Sequence, residues 1–401
     1  MINREMKESG VEWIGAIPKS WNILRVKRKF IYKKEIVGEK SEEYERLSLT
    51  LRGVLKRPKN DNEGLQPEKF SGYQILEHND LVFKLIDLEN ISTSRVGLSS
   101  FTGIVSPAYI RLICLDGINS KFAYYFFISM WHQNIFNGLG GDGVRSNLNS
   151  TDLLNLSFVE VPKAEQQKIA AFLDEKVAHI DNIIEDTKKS IENLKFYKQS
   201  LITETVTKGL NPNVEMKDSG IEWIGEIPKH WRVTKVKNFV QIKNGKDNKV
   251  KDGEIPVYGS GGVFGKTDQI MYEKASVLLG RKGTIDSPKY IEKPFWAVDT
   301  TFYTIAKPNI ALKFFYYLMK SIDYKKYTYG SAIPSMSQSI LNEIKLPYTN
   351  LDEQKQIAIF LDDKTSHVDS LIEQKEQLVA ELESYKKSLI YECVTGKKEV
   401  K

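Results

Sequence analysis

Residues 260–267, SGGVFGKT, fall one residue short of a phosphate-binding loop, G-x-x-x-x-G-K-[ST], with Ser260 where the first glycine belongs. That loop needs the glycine for close backbone approach to phosphates, a buried strand before it and a helix after it. Here VYG precedes it and TDQIMYEKASVLLG follows, more strand than helix, so the segment reads as a glycine-rich turn between strands. The overlapping GSGGVFG resembles a methyltransferase glycine loop, yet no P-P-[YFW] segment exists to grip a flipped base, and NPNV at 211–214 reads as a linker turn. Five histidines and two cysteines form no C-x-x-C and no H-E-x-x-H, which leaves no metal-ligand spacing. DSPKYIEK at 286–293 is the nearest approach to a nuclease carboxylate cluster and reads as a solvated loop. No serine or cysteine nucleophile can be matched to a base, so the residues argue against autonomous catalysis and leave recognition.

The 401 residues, 41% hydrophobic and 27% charged, suffice for two to three globular domains. A formal net charge of +6 favours a polyanionic partner. Cys114 and Cys393 lie far apart, and the opening MINREMKESG lacks an apolar signal core, which predicts a reducing, cytoplasmic setting. The longest apolar run, FAYYFFISMW at 122–131, is too short to span a bilayer, so no membrane segment is expected.

The elements that must position any binding surface are announced by an internal repeat. MKESGVEWIGAIPKSW (6–21) returns as MKDSGIEWIGEIPKHW (216–231). EQQKIAAFLDEKVAHID (165–181) returns as EQKQIAIFLDDKTSHVD (353–369), and YKQSLITETVT (197–207) as YKKSLIYECVT (385–395). The order is motif, variable region, helix, then the same again. Leu173, Val177, Ile180, Ile184, Thr187, Ile191, Leu194, Lys198 and Leu201 recur in alternating steps of four and three, a heptad seam without proline or glycine. The second copy keeps the register from Leu361 to Leu389. Each copy predicts a helix of about 40 residues, roughly 60 Å long, with the other copy as its partner. Connectivity then requires the helices to run antiparallel, with the variable regions held at opposite ends of a rod and the carboxyl terminus returning to the first motif.

The variable regions carry short β-like runs, DLVFKLI (80–86), AYIRLICL (108–115), SVLLG (276–280) and TFYTI (301–305), among Gly- and Ser-rich turns. KFAYYFF (121–127) parallels KFFYYLM (313–319), and FVEVP and IKLP precede the two helices. The fold class is therefore α+β: two pseudo-symmetric globular domains separated by two long antiparallel coiled-coil helices. Domains are placed at 1–160, 161–210 (helix), 211–345 and 346–401 (helix). Basic, aromatic and small polar residues interleave in LTLRGVLKRPK (49–59), STSRVG (92–97), GGDGVRSN (140–147), VYGSGG, LLGRKGT and YGSAIPSMS. Such side chains contact phosphates and base edges.

The ordered double set of ESGVEWIGAIPKSW, variable region and EQQKIAAFLDEKVAHID resembles the specificity (S) subunits of type I restriction-modification systems over nearly the whole chain. The resemblance implies a non-catalytic DNA-binding subunit with two target recognition domains, each reading half of a split, asymmetric site, and helices that set the gap. It implies as partners double-stranded DNA, two copies of a methyltransferase (M) subunit carrying S-adenosylmethionine and methylating adenine, and an ATP- and Mg-dependent restriction (R) subunit, with no cofactor in this chain. The candidate DNA contacts are Arg52, Lys84, Ser94, Arg95, Tyr109, Arg145 and Asn147 in the first domain, and Tyr258, Ser260, Arg281, Lys282 and Ser331 in the second. Beyond the seam, both helices keep the same outward residues, Glu165 and Glu353, Gln166 and Gln354, Asp174 and Asp362, His179 and His367, Asp181 and Asp369, Tyr197 and Tyr385. Core packing does not call for this, whereas two equivalent docking surfaces for two M subunits do. A protein-interaction scaffold, or a decayed specificity subunit outside DNA modification, is the alternative. Trp13, Pro18 and Trp21, repeated as Trp223, Pro228 and Trp231, are expected to lock each recognition domain onto a helix end, since a motif common to both halves cannot tell two half-sites apart.

Overall fold

Lys163–Lys208 and Leu351–Val394 are single α-helices of 46 and 44 residues. Each runs uninterrupted because it holds no proline or glycine, and each ends beside a glycine of positive φ, Gly209 at +75° and Gly396 at +74°. The heptad seam is the buried stripe: Leu173, Ile180, Ile184 and Ile191 in the first helix, Leu361, Val368, Ile372 and Val379 in the second. The structure, a computed structural model, describes residues 4–61, 67, 69–88, 93–139, 147–248, 253–327 and 334–400.

The chain divides into two compact units, Met1–Asp186 with Leu378–Lys401, and Thr187–Gln377. The divisions fall inside both long helices. Each unit is thus a globular region packed with the beginning of one long helix and the end of the other. Within the first unit Lys386 Nζ meets Asp181 Oδ1 at 2.6 Å and Lys398 lies over the Phe172 ring at 6.0 Å. Numbers rise along one helix as they fall along the other, so the two segments are antiparallel. In the second unit Lys195 pairs with Glu376 at 3.3 Å and Lys198 with Asp369 at 2.5 Å, which gives the same direction.

Each globular region is built on a four-stranded antiparallel sheet of the same order. In the first unit the order is Phe30–Tyr32, Ile110–Cys114, Leu81–Phe83, Val96–Leu98. In the second it is Val240–Asn244, Thr301–Ala306, Ser276–Gly280, Lys289–Ile291. The expected strands at 80–86, 108–115, 276–280 and 301–305 all contribute. KFAYYFF and KFFYYLM open the equivalent helices Ser120–His132 and Leu312–Lys320 that cover one sheet face. FVEVP and IKLP supply the strands Ser157–Glu160 and Lys345–Tyr348, paired with Asn22–Arg25 and Arg232–Lys235. In the first unit Phe30, Phe83, Phe126, Phe127 and Phe158 stack edge to face, with centroids as close as 4.8 Å for Phe126 and Phe158. The second core gathers Val240, Leu279, Leu318 and Met319 around Phe239, Phe302, Phe314 and Phe315.

SGGVFGKT lies in an antiparallel hairpin: Ile255–Gly259 pairs with Gly262–Thr267, and no helix follows. The glycine-rich turn between strands is what the chain forms there.

Candidate nucleic-acid interface

The repeated motif is a joint. Trp21 and Trp231 are buried. A methyl group on Gly396 would lie 2.5 Å from Pro18 Cγ and 3.1 Å from Trp21, and one on Gly209 3.2 Å from Trp231 and 3.8 Å from Pro228. Each Trp–Pro pair is therefore seated on the glycine that ends a long helix, a position that only a residue without Cβ can fill so closely. In the first unit Tyr391 donates to Ile14 O at 3.2 Å, and Lys397 Nζ reaches Ile14 O and Ala16 O. The carboxyl-terminal segment does return to the first motif. Trp21 Nε1 donates to Glu165 Oε2 at 2.9 Å. In the second copy Glu353 bonds His230 Nε2 at 3.0 Å instead, where the first copy has Ser20.

Several residues that looked like docking positions hold the globular regions to the helices. Gln166 is 1% exposed and Gln354 0%. Gln166 Nε2 donates to Val161 O (2.8 Å) and Gly117 O (3.0 Å), while its Oε1 accepts from Asn119 N–H (2.8 Å). Gln354 repeats this with Thr349 O (2.7 Å), Asn309 O (3.5 Å) and Ala311 N–H (2.9 Å). Both amides are spent inside the chain, so neither glutamine can serve a partner, and the docking assignment is corrected for this pair. Asp174 takes Lys121 Nζ at 2.5 Å and the Tyr125 hydroxyl at 2.8 Å, and Asp362 takes Lys313 Nζ at 2.7 Å and the Tyr317 hydroxyl at 2.8 Å. Burial pushes both tyrosine hydroxyls well above their usual range, which keeps them protonated as donors. Glu165, Glu353, Asp181 and Asp369 likewise have intrachain partners. The identity of these residues in the two copies is thus explained by packing, contrary to the expectation that packing does not call for it. His179, His367, Tyr197 and Tyr385 remain exposed.

The candidate DNA contacts separate by burial. Arg52 is exposed at the turn of the hairpin Leu47–Thr50/Gly53–Lys56. Lys282 is exposed, Arg281 is half-buried with its guanidinium on Asp299 O (3.2 Å), and Tyr258 packs edge-on to Phe295 at 6.2 Å. Ser260 sits at a hairpin turn, its carbonyl accepting from Lys289 Nζ at 3.1 Å. Lys84, Arg95 and Asn147 come together around Asp87. Arg95 is 0% exposed and donates to Asp87 O at 2.5 Å, Asn147 Oδ1 accepts from Asp87 N–H at 3.1 Å, and Lys84 Nζ donates to Thr93 at 3.0 Å. Ser94, 3% exposed, bonds Val96 O at 2.6 Å. Ser94 and Arg95 therefore shape this segment from inside rather than face a ligand, which corrects their assignment as surface contacts. Burial, and then Arg95, lowers the Lys84 pKa. Tyr109 packs half-buried against the cluster of Leu47, Leu49 and Val54. Arg145 and Ser331 lie outside the described residues. The sequence reading missed the exposed apolar residues of the two hairpins, Leu51 at 62%, Val263 at 56% and Phe264 at 59%. Their signal in the sequence is an apolar residue within two positions of a turn glycine, Leu51 before Gly53 and Val263 and Phe264 between Gly262 and Gly265.

Among the described residues no group of three His, Cys, Asp or Glu side chains is placed to hold a metal, and no helix is long and apolar enough to cross a membrane.

Comparison with known proteins gives one consistent answer. The family model described as the type I restriction modification DNA specificity domain matches residues 23–193 and again 228–383. The type I restriction enzyme MjaVIII specificity subunit of Methanocaldococcus jannaschii is 26% identical over 365 residues, covering 83% of this chain and 82% of its own length. The putative MjaX specificity subunit of the same organism is 28% identical over 313 residues, covering 69% and 68%. A chain from a solved structure concerned with assembly and conformational transition of the type I R-M system superposes with TM-score 0.73 at 11% identity, covering 94% of this chain and 98% of that one. The HsdS subunit from Thermoanaerobacter tengcongensis gives 0.52 at 11%, covering 95% and 98%. Those two show the shared fold. A duplicated frame of joints and clamps, a family model matched once in each half and relatives aligned along most of their length lead to one conclusion: the chain belongs to the type I restriction-modification DNA specificity family.

Proposed function

We propose that each unit reads one short half of a split, asymmetric site on double-stranded DNA, and that the chain directs adenine methylation and restriction there through its partners. As a specificity subunit the chain is itself non-catalytic. The partners are two copies of the M subunit, which bring S-adenosylmethionine, and the R subunit, which uses ATP and Mg. The observation that carries this reading is the contrast between frame and content. The same glutamine, aspartate, tyrosine and tryptophan contacts recur in both units, yet the loops and hairpins they hold differ. The duplicated frame sets two reading surfaces in equivalent places, their difference suits two different half-sites, and the exposed recurring pairs His179 and His367, Tyr197 and Tyr385 suit two identical partner subunits. On this reading Arg52, Asn147, Tyr258, Ser260, Arg281 and Lys282 supply DNA contacts. The partner surface narrows to the exposed residues around His179 and Tyr385 in the first unit and around His367 and Tyr197 in the second.

Footprinting of the complex with its M subunit tests this. Two protected stretches separated by a fixed unprotected gap are expected, and the logarithm of the binding constant falls linearly with the logarithm of salt concentration as Lys and Arg displace counterions. One continuous protected stretch, or binding indifferent to salt, refutes it.

A further inference from the structure

The two units share a feature that their sequences hide. Each inserts a β-hairpin at the same place in the fold, after the sheet's edge strand and before the strand Leu81–Phe83 or Ser276–Gly280; the first stands as a two-stranded sheet, and in the second Ile255–Gly259 also pairs in parallel with Trp296–Ala297 behind the hairpin. The first hairpin pairs Leu47–Thr50 with Gly53–Lys56, the second Ile255–Gly259 with Gly262–Thr267. Both are anchored at the base and bare toward the turn. Leu47, Leu49 and Val54 are buried in one, Val257 and Thr267 in the other. Leu51 in the first and Val263 and Phe264 in the second are more than half exposed.

The backbone is arranged to expose them. In the first hairpin Gly53 takes the positive φ, +96°, and the Thr50 hydroxyl donates to Gly53 O at 3.0 Å while accepting from Arg52 N–H at 3.1 Å. Because the glycine absorbs the strained geometry, the two turn positions can carry the large side chains Leu51 and Arg52. In the second hairpin the register slips between Val257 and Tyr258, so that Tyr258 faces Val263, Val257 faces Gly265, and Phe264 is the extra residue. Neighbours on a regular strand point to opposite faces, and this bulge turns both Val263 and Phe264 to solvent. Phe264 folds over Gly259, where an added methyl would lie 3.3 Å from its ring. Positive charge flanks both: Arg52 and Lys56 are exposed in the first, and in the second Lys289, at the start of the strand Lys289–Ile291, ties its Nζ to Ser260 O while Lys282 is exposed in the segment before that strand.

We propose that these hairpins are the base-reading ribbons of the two units, entering the major groove and laying Leu51, or Val263 with Phe264, against base edges. The proposal rests on the DNA-reading function above. The major groove of B-DNA admits a two-stranded β-ribbon, and the thymine C5-methyl is the apolar mark it displays. Flanking lysine and arginine side chains suit the phosphates on either side. The apolar residues differ between the ribbons, Leu against Val and Phe, as reading two different half-sites requires, whereas the frame residues coincide.

The test uses the full chain in complex with its M subunit. Leu51→Ser and the pair Val263→Ser with Phe264→Ser are compared with the parent by sequencing methylated adenines and by binding to a duplex carrying the parent's site. Each variant should lose discrimination at one or more bases of one half-site, a different half for each, and bind about tenfold more weakly. Uracil in place of the contacted thymine should weaken the parent and leave the corresponding variant unchanged. Unaltered thermal unfolding of both variants, and a retained motif in Phe264→Leu, separate reading from folding. An unchanged motif with less than a twofold binding change, or equal loss in both half-sites, overturns the proposal. A parent complex with no bipartite site at all would instead remove the DNA-reading function on which it stands.

Discussion

Gln166→Leu isolates the contact that fixes the first recognition domain on its helix. The substitution nearly preserves volume but removes two donors and one acceptor in a site where the side chain is 1% exposed. Asn119 N–H, now bonded at 2.8 Å to Gln166 Oε1, loses its acceptor. An unmet buried N–H costs about 1–3 kcal/mol. Val161 O and Gly117 O each lose a donor, a lesser penalty because carbonyls tolerate one empty lone pair. The sum is a loss of about 2–4 kcal/mol, concentrated at the start of the helix Ser120–His132, whose N-cap is Asn119. Gln354→Leu should cost less, because its third bond, to Asn309 O, is stretched to 3.5 Å. Urea unfolding of the full chain measures the total, and hydrogen exchange over residues 117–132 locates it. A loss below about 1 kcal/mol for Gln166→Leu, or unchanged exchange at that helix start, would refute the reasoning.

Gly396→Ala should destabilise more than Gly209→Ala. Both need a left-handed backbone costing about 1–2 kcal/mol for alanine, but the new methyl meets Pro18 at 2.5 Å in one case and nothing closer than 3.2 Å in the other; equal unfolding midpoints would contradict this. Tyr125→Phe removes the hydroxyl held by Asp174 and should cost about 1–2 kcal/mol in denaturant unfolding, with Tyr317→Phe similar and confined to the second unit. His132 is depressed from 6.5 to about 4 by burial first, then by Lys387 and Lys386. The unfolded chain binds this proton more tightly, so the contribution is complete above about pH 6.5 and is lost as pH falls toward 4, at most about 3 kcal/mol. His132→Gln should flatten the stability profile of the first unit across that window, and an unchanged profile would exclude His132 as its source.

The long helices were legible because a heptad seam without proline or glycine leaves an extended chain no other way to bury its stripe. The sheet strands were legible from β-branched and aromatic runs bounded by turns. The role of Gln166 and Gln354 was not, because a seam assigns inward and outward faces relative to the partner helix alone. At the helix start a globular region wraps the other faces too, and a polar residue turned away from the seam is buried there against backbone. Arg95 and Ser94 show the same limit from the other side. A basic loop and a buried arginine capping backbone carbonyls look alike in sequence, and only the fold shows that Arg95 donates to Asp87 O. The hairpins escaped notice as a pair because one displays its apolar residue in the turn and the other through a bulge.

The central claim is that a duplicated frame carries two different readers. Expressing the chain with its M subunit in a host free of other adenine methyltransferases, and sequencing the methylated adenines, tests it most directly. The account predicts two short, unlike half-sites separated by a fixed gap of unspecified bases. A continuous recognition sequence, two identical half-sites or no modified motif would contradict it.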